Sequence, residues 1–333
     1  MLRLGVLDQT PVLTGSNAVE AMKQTVELAR ITEKLGYSRY WVSEHHDTIS
    51  LAGSSPEVLL AAIGAHTSRI RIGSGGVMLP HYSPYKVAEN FRVLEALYPG
   101  RIDLGIGRAP GGMPAATRAL RYGRPPEIAE AFPAALEELG GYLRPVRGAA
   151  EVRPGSGLQA TPLVETSPEI WLLGSSDYSA RRASELGASF SFAHFINGEG
   201  GQGAVQHYYE TFRPGPLGAE PRANACVMVL CADTDEEADR LAAPLDLKLL
   251  LLEQGRFGID ITLEQALAYP YTEFERIRIR HNRKRMLVGG PENIKTQLLE
   301  FSRSYGVEEV IVNSITPDFA SRVRSYELVA GLF

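Results

Sequence analysis

Strand and helix alternate through the first hundred residues without a break, and that rhythm confines the chain to folds made of parallel βαβ units. Residues 2–7 read as a buried strand. Residues 18–35 carry apolar side chains at helical spacing (Met22, Val26, Ala29, Ile31, Leu35), and Gly36 stops the helix. A strand at 40–43, a helix at 56–67 opened by Pro56, a strand at 70–77, a helix at 83–97 stopped by Pro99-Gly100, and a strand at 102–106 follow. The rhythm loosens from 108 to 166, where only 128–143 looks helical and 147–168 is rich in Gly, Pro, Ser and Thr. Long loops inside compact domains are usually functional or mobile, so the stretch from Gly111 to Pro168 is expected to be a loosely packed cover over a site. Order returns with strands at 170–173, 190–195, 225–231 and 310–313. Helices are expected at 178–186, 235–254, 263–286 with a break at Pro270, 291–305 and 321–330. Eight strands with helical crossovers is the count of a closed (β/α)8, or TIM, barrel: an α/β fold with an inserted loop region after strand 4. No linker divides the chain and no repeat exceeds the βα unit, so residues 1–333 are expected to form a single domain.

The charge balance narrows the function classes. Against 39 acidic residues stand 34 basic ones, a net charge of −5 over 333 residues, and no basic face dominates. Neither nucleic acid nor a membrane surface is an expected partner. The cluster Arg276, Arg278, Arg280, His281, Arg283, Lys284 and Arg285 reads as the solvated face of a helix, with a phosphate or subunit contact as the lesser alternative. Cys226 and Cys231 stand an odd number of strand positions apart, so they point to opposite faces and read as packing residues rather than a disulfide or metal pair. No apolar stretch reaches the roughly 20 residues that a membrane span needs. The amino terminus runs into a strand with no charged leader, so a cytoplasmic protein is expected.

Polar chemistry gathers where the strands end. Glu44-His45-His46 closes the strand at 40–43. A carboxylate and two imidazoles add nothing to a core and cost desolvation if buried, and carboxyl ends of strands are where α/β barrels keep their sites. An ordinary wet loop is the competing reading. Gly73-Ser74-Gly75-Gly76 places glycines inside a strand, which marks a bulge or a close approach of backbone to ligand. Gly105-Ile106-Gly107-Arg108 leaves room beside a strand and ends in a guanidinium, whose planar fork suits a phosphate or carboxylate. Tight strand–helix packing is the alternative for both glycine groups. Gly174-Ser175-Ser176-Asp177 turns a strand into a helix, where free N–H groups and small hydroxyls make either an anion cradle or a plain N-cap. Asp177 speaks for the cap, because a carboxylate repels phosphate; Arg108 across the mouth speaks for the anion.

In order and spacing these segments resemble the bacterial luciferase-like flavin-dependent oxidoreductases over nearly the whole chain. The likeness rests on Tyr40 to His46, on Gly75 to Pro80 with Pro84 and Ala88-Glu89, on Pro99 to Ala109, on Leu173 to Ser176 and on Val288 to Glu292. It implies a (β/α)8 barrel that binds FMN, reduced FMN or a deazaflavin at its carboxyl mouth. By position, Gly75-Gly76 matches a non-proline cis peptide beneath the isoalloxazine. Arg108 and Ser175-Ser176 match phosphate contacts, with Gly174 beside them. His45 matches a catalytic histidine, which Glu44 would orient unless it only supports the strand end. His46 faces the other way on a continued strand and ranks below His45. Gly107 stands where luciferases carry a reactive but nonessential cysteine.

The resemblance thus implies a monooxygenase that takes reduced FMN as co-substrate and oxidises a small organic substrate with O2. A separate NAD(P)H-flavin reductase would supply the flavin, since no Gly-x-Gly-x-x-Gly follows a strand. Reduced flavin does the oxygen chemistry; the protein positions it and excludes water. Neutral His45 would act as general base or hydrogen-bond donor at the flavin edge. A homodimer is expected. The alternatives are a deazaflavin-dependent oxidoreductase of the same fold, a non-catalytic flavin-binding relative, and a metal-dependent hydrolase barrel with His45 or His46, His81 and His194 as ligands. Against the last, no His-x-His pattern is present and Asn313, not an acid, ends the last strand, so no metal is expected.

Overall fold

The computed structural model describes residues 2–122, 131–146, 157–256 and 258–333. Its strands are β1 (Arg3–Asp8), β2 (Arg39–Val42), β3 (Arg71–Met78), β4 (Ile102–Gly107), β5 (Glu169–Gly174), β6 (Ser189–Ala193), β7 (Ala223–Cys231), β8 (Met286–Gly289) and β9 (Glu309–Asn313). They pair in parallel from β1 through β7 in chain order, and β9 closes the ring between β7 and β1. Arg3 lies opposite Glu309, and Ala225 opposite Val310. Eight strands therefore close a TIM barrel. The ninth, β8, lies outside the ring on the carboxyl half of β7, where Met228 faces Met286 on the edge that β6 has left after Cys226.

Strands covered on both faces read as unbroken apolar runs, and all nine residues of β7 are buried. The helices α1 (Ala18–Lys34), α2 (Pro56–His66), α3 (Pro84–Leu97), α4 (Pro114–Arg121), α5 (Phe132–Tyr142), α6 (Asp177–Leu186) and α7 (Gly201–Thr211) follow the first six strands. Then come α8 (Asp235–Glu253), α9 (Leu263–Ala268), α10 (Glu273–Asn282), α11 (Pro291–Tyr305) and α12 (Phe319–Ala330). In α1 the Asn17 side chain caps the Glu20 N–H, and Ala21, Thr25, Leu28, Ala29 and Thr32 form the buried stripe.

The barrel interior is layered. Arg39 sits near the amino ends of the strands, bridging Asp103 at 2.7 Å and Glu309 at 3.0 Å, with Trp171 stacked 4.7 Å from its guanidinium. Above it Leu7, Trp41, Trp171, Cys226 and Ile311 form a dry layer, the two indoles edge to face. That stack floors the carboxyl mouth, as barrel cores do.

Several elements differ from the sequence expectation. The 263–286 stretch breaks near Pro270 into α9 and α10, but its last residue opens β8, a four-residue strand hidden behind the basic cluster. That cluster is tied to α8 by ion pairs, Arg278 with Glu253 at the surface and Arg283 with the buried Asp246. α4 and α7 were not expected; glycines near the start of each obscure the periodicity. The expected loose cover from Gly111 to Pro168 is wrong for α5. Phe132, Leu136 and Leu139 recur at helical spacing and are buried against α3. Residues 123–130 and 147–156 of that cover lie outside the described residues. Cys226 and Cys231 are both free, one in the barrel interior and one in the outer core, as their spacing requires.

Candidate active site

The carboxyl ends of β3 to β7 enclose a cavity of about 230 Å³. Leu7, Trp41 and Cys226 form its floor, Gly75, Gly76 and Met78 one wall, and Arg108 with Leu173 to Ser176 the rim opposite. A cavity of about 530 Å³ lies at the other end, between α5 and the starts of β5 and β6. Barrel enzymes place their chemistry at the carboxyl face, so the smaller cavity is the candidate.

The register of β3 against β4 shifts between Ser74 and Val77, and the Gly75–Gly76 peptide is cis. A side-chain carbon at Gly76 would come within 2.6 Å of the Gly105 carbonyl oxygen, and one at Gly174 would overlap the Ser179 side chain. Packing and cavity alike require these two glycines.

The rim gathers hydrogen-bond donors. Arg108 is exposed and has no carboxylate partner among the described residues; its guanidinium lies 4.1 Å from the Tyr178 ring centroid. Ser176 is the N-cap of α6, yet its hydroxyl makes no capping bond, which leaves it and the first-turn N–H groups to a ligand. Asp177 is exposed and is not part of the cavity wall. A guanidinium, two serine hydroxyls and a helix N-terminus are a donor set that fits a phosphate.

Glu44 and His45 stand beside this cavity without lining it. Buried Glu44 accepts from His46 Nε2 and the Tyr82 hydroxyl, each at 2.7 Å, and from the Met78 N–H at 3.0 Å. It therefore orients His46 rather than His45, and it supports the strand end by tying the loop after β2 to the end of β3. The His46 backbone N–H donates to the Gly111 carbonyl and the His81 ring Nε2 to the Pro110 carbonyl, so both residues pin the loop that carries Arg108. His45 Nδ1 lies 3.0 Å from the Ser43 hydroxyl, and its Nε2 has no partner among the described residues. Burial, with His46 adding to it, pushes the His45 pKa down to about 4, so the ring is neutral at ordinary pH. Tyr82, Tyr178 and the histidine pins were not read from the sequence; each acts through a contact between loops that no local pattern encodes.

No three His, Cys, Asp or Glu side chains among the described residues group to hold a metal. His194 is committed elsewhere, with Nδ1 2.7 Å from the Tyr305 hydroxyl and Nε2 2.9 Å from the Lys284 carbonyl oxygen. The hydrolase alternative therefore lacks its ligand set.

A closed parallel barrel with a cavity at its carboxyl mouth, and with Arg108 and the Ser175–Ser176 turn on the cavity rim, defines the class: a (β/α)8 barrel. Within it, the sequence profile of the luciferase-like monooxygenases matches residues 2–309, and the chain belongs to that family. The protein YwcH of Bacillus subtilis is 52% identical over 100% of this chain and 99% of its own length. The N-acetyl-S-alkylcysteine monooxygenase of the same organism is 38% identical, covering 99% of this chain and 98% of itself. The crystal structure of apo-MsnO8 superposes with a TM-score of 0.91 at 38% identity, over 100% of this chain and 98% of that one. The fold is shared with the oxygenating constituent of 3,6-diketocamphane monooxygenase in complex with FMN (TM-score 0.70, 20% identity, 99% and 97% covered). It is shared also with an F420-dependent secondary alcohol dehydrogenase (TM-score 0.66, 14% identity, 99% and 98% covered). No helix among the described residues is long and apolar enough to cross a membrane.

Proposed function

We propose that the chain, acting as one catalytic domain, is a monooxygenase that takes reduced FMN from a separate reductase and oxidises a small organic substrate with O2. The observation that carries this reading is the unpaired Arg108 on the same rim as the uncapped hydroxyl of Ser176, above a cavity with an apolar floor. Arg108, Ser175 and Ser176 would hold the phosphate, and Gly75, Gly76 and Gly174 would leave room for the ring system. Bound reduced FMN supplies two electrons to O2, one oxygen atom entering the substrate and the other leaving as water.

The chain's own residues position and shield. Leu7, Trp41, Leu173 and Phe195 keep water from the ring end of the cavity. Glu44, His46 and His81 hold the Arg108 loop in register. His45, neutral and with Nε2 free, is assigned the catalytic proton. If the Ser43 hydroxyl donates to Nδ1, then Nε2–H is a donor; with the opposite tautomer Nε2 is a base. The relative named for N-acetyl-S-alkylcysteine makes such a thioether the first substrate to test.

An anaerobic titration comparing reduced FMN, oxidised FMN and a reduced deazaflavin tests the cofactor. Tightest binding of reduced FMN is expected. Preference for the deazaflavin would replace this reading with the second one, which the F420-dependent barrel of the same fold supports.

A further inference from the structure

α8 carries a lysine, Lys248, that is half-buried and makes no ion pair or side-chain hydrogen bond among the described residues. Burial lowers its pKa while Asp260 raises it, and Asp260 is itself held at 2.7 Å by the Thr14 hydroxyl. Asp260 is thus a nearby counter-charge, but it makes no ion pair or hydrogen bond with Lys248, and a sheltered ammonium whose N–H donors lack acceptors costs free energy. A ligand that supplies acceptor oxygens would satisfy them.

Lys248 lines a cavity of about 90 Å³. The other charged residue in its wall is Arg256, also without an ion pair among the described residues. Thr48 and Ser50, whose hydroxyls lie 3.1 Å apart, complete its polar side, and Leu251 and Ile261 belong to its apolar side. No carboxylate among the described residues lines it. Thr48 and Ser50 stand just beyond His46 on the loop leaving β2, so the pocket borders the loop that carries His45. The volume admits a head group and not a flavin.

Lys248 also lines an adjoining cavity with Leu245, Ile315 and the carboxylate of Asp260. Leu245 and Ile315 belong with Met228 and Phe195 to one apolar cluster, and Phe195 is a wall of the 230 Å³ cavity. Apolar side chains packed on one another thus extend from the cationic pocket to the wall of the candidate flavin site.

We propose that Lys248 and Arg256 form a carboxylate-binding subsite and that the substrate is an organic acid whose apolar part lies along Ile315, Leu245 and Phe195. The direction of that apolar part rests on the flavin reading of the larger cavity; the subsite itself does not. Two cations and two hydroxyls satisfy both oxygens of a carboxylate, and charge-assisted bonds of this kind are the strong ones.

Ligand-observed NMR titration of the flavin-free protein tests this with hexanoate, hexanamide, acetate and inorganic phosphate as probes. Hexanoate is expected to bind at least tenfold more tightly than hexanamide, acetate or phosphate. Lys248→Met should lose at least tenfold for hexanoate with unchanged circular dichroism, Arg256→Gln should lose threefold or more, and Lys248→Arg should stay within threefold of wild type. Equal binding of hexanoate and hexanamide, phosphate binding more tightly than hexanoate, or a folded Lys248→Met that binds hexanoate normally would overturn the proposal. Flavin titration is a separate readout. Failure of wild type to bind reduced FMN would remove the flavin reading and leave the hexanoate result standing.

Discussion

Arg108 at the end of β4 lays its guanidinium 4.1 Å from the ring centroid of Tyr178 in the first turn of α6. Two neighbouring strand ends are thereby linked above the cavity, and the cation is held ready without being neutralised. Arg108→Ala should weaken reduced FMN ten- to a hundredfold, the roughly 1.5–3 kcal/mol of a charge-assisted bond. The urea midpoint should hardly move, since a cation–π contact at an exposed site is worth about 0.5–1 kcal/mol. Anaerobic fluorescence titration and urea unfolding check the two parts; unchanged affinity in a folded variant would make Arg108 structural.

His45→Ala should lose turnover while retaining reduced FMN, and His46→Ala should lose less. Stopped-flow product formation measures both. Normal rates in His45→Ala would remove the catalytic assignment.

The depressed pKa of His45 also predicts a stability slope. The ordinary value is 6.5 and the folded one about 4, so the unfolded chain binds more protons in that window and native stability falls as pH drops through it. His45→Gln should flatten the slope by up to about 3 kcal/mol between pH 7 and pH 4. Urea unfolding at several pH values reads the difference; parallel slopes would place the proton elsewhere.

Glu44→Ala should destabilise the fold by about 3–5 kcal/mol, because it strands the Tyr82 hydroxyl, the Met78 N–H and His46 in a buried site. Glu44→Gln keeps the shape and an acceptor and should cost less than half as much. Equal losses in the two variants would mean that the carboxylate's charge and second acceptor oxygen, which Gln lacks, hold the strand end rather than its volume.

The ring of strands was legible because each strand carries its own apolar run between helix-stop signals, as in Ile102 to Ile106 after Pro99-Gly100. β8 was not, because four residues leave no period to detect and its partner is the half of β7 beyond the ring. Glu44 could be seen as a carboxylate at a strand end, but its partners Tyr82 and Met78 come from another βα unit. Local patterns say which residues are polar; only the closed barrel says which loop each will meet. The same holds for Lys248, which in sequence is one lysine in a leucine-rich helix and in the fold is a half-buried cation facing the loop after β2.

The central claim is that oxygen from O2 enters an organic substrate at the expense of reduced FMN. A single turnover with photoreduced FMN, 18O2 and N-acetyl-S-methylcysteine, with no nicotinamide present, tests it by mass spectrometry. The predicted result is one 18O atom in each product molecule and one oxidised FMN per product. Product whose added oxygen comes from water, or unlabelled product formed only when a reduced deazaflavin replaces FMN, would contradict it.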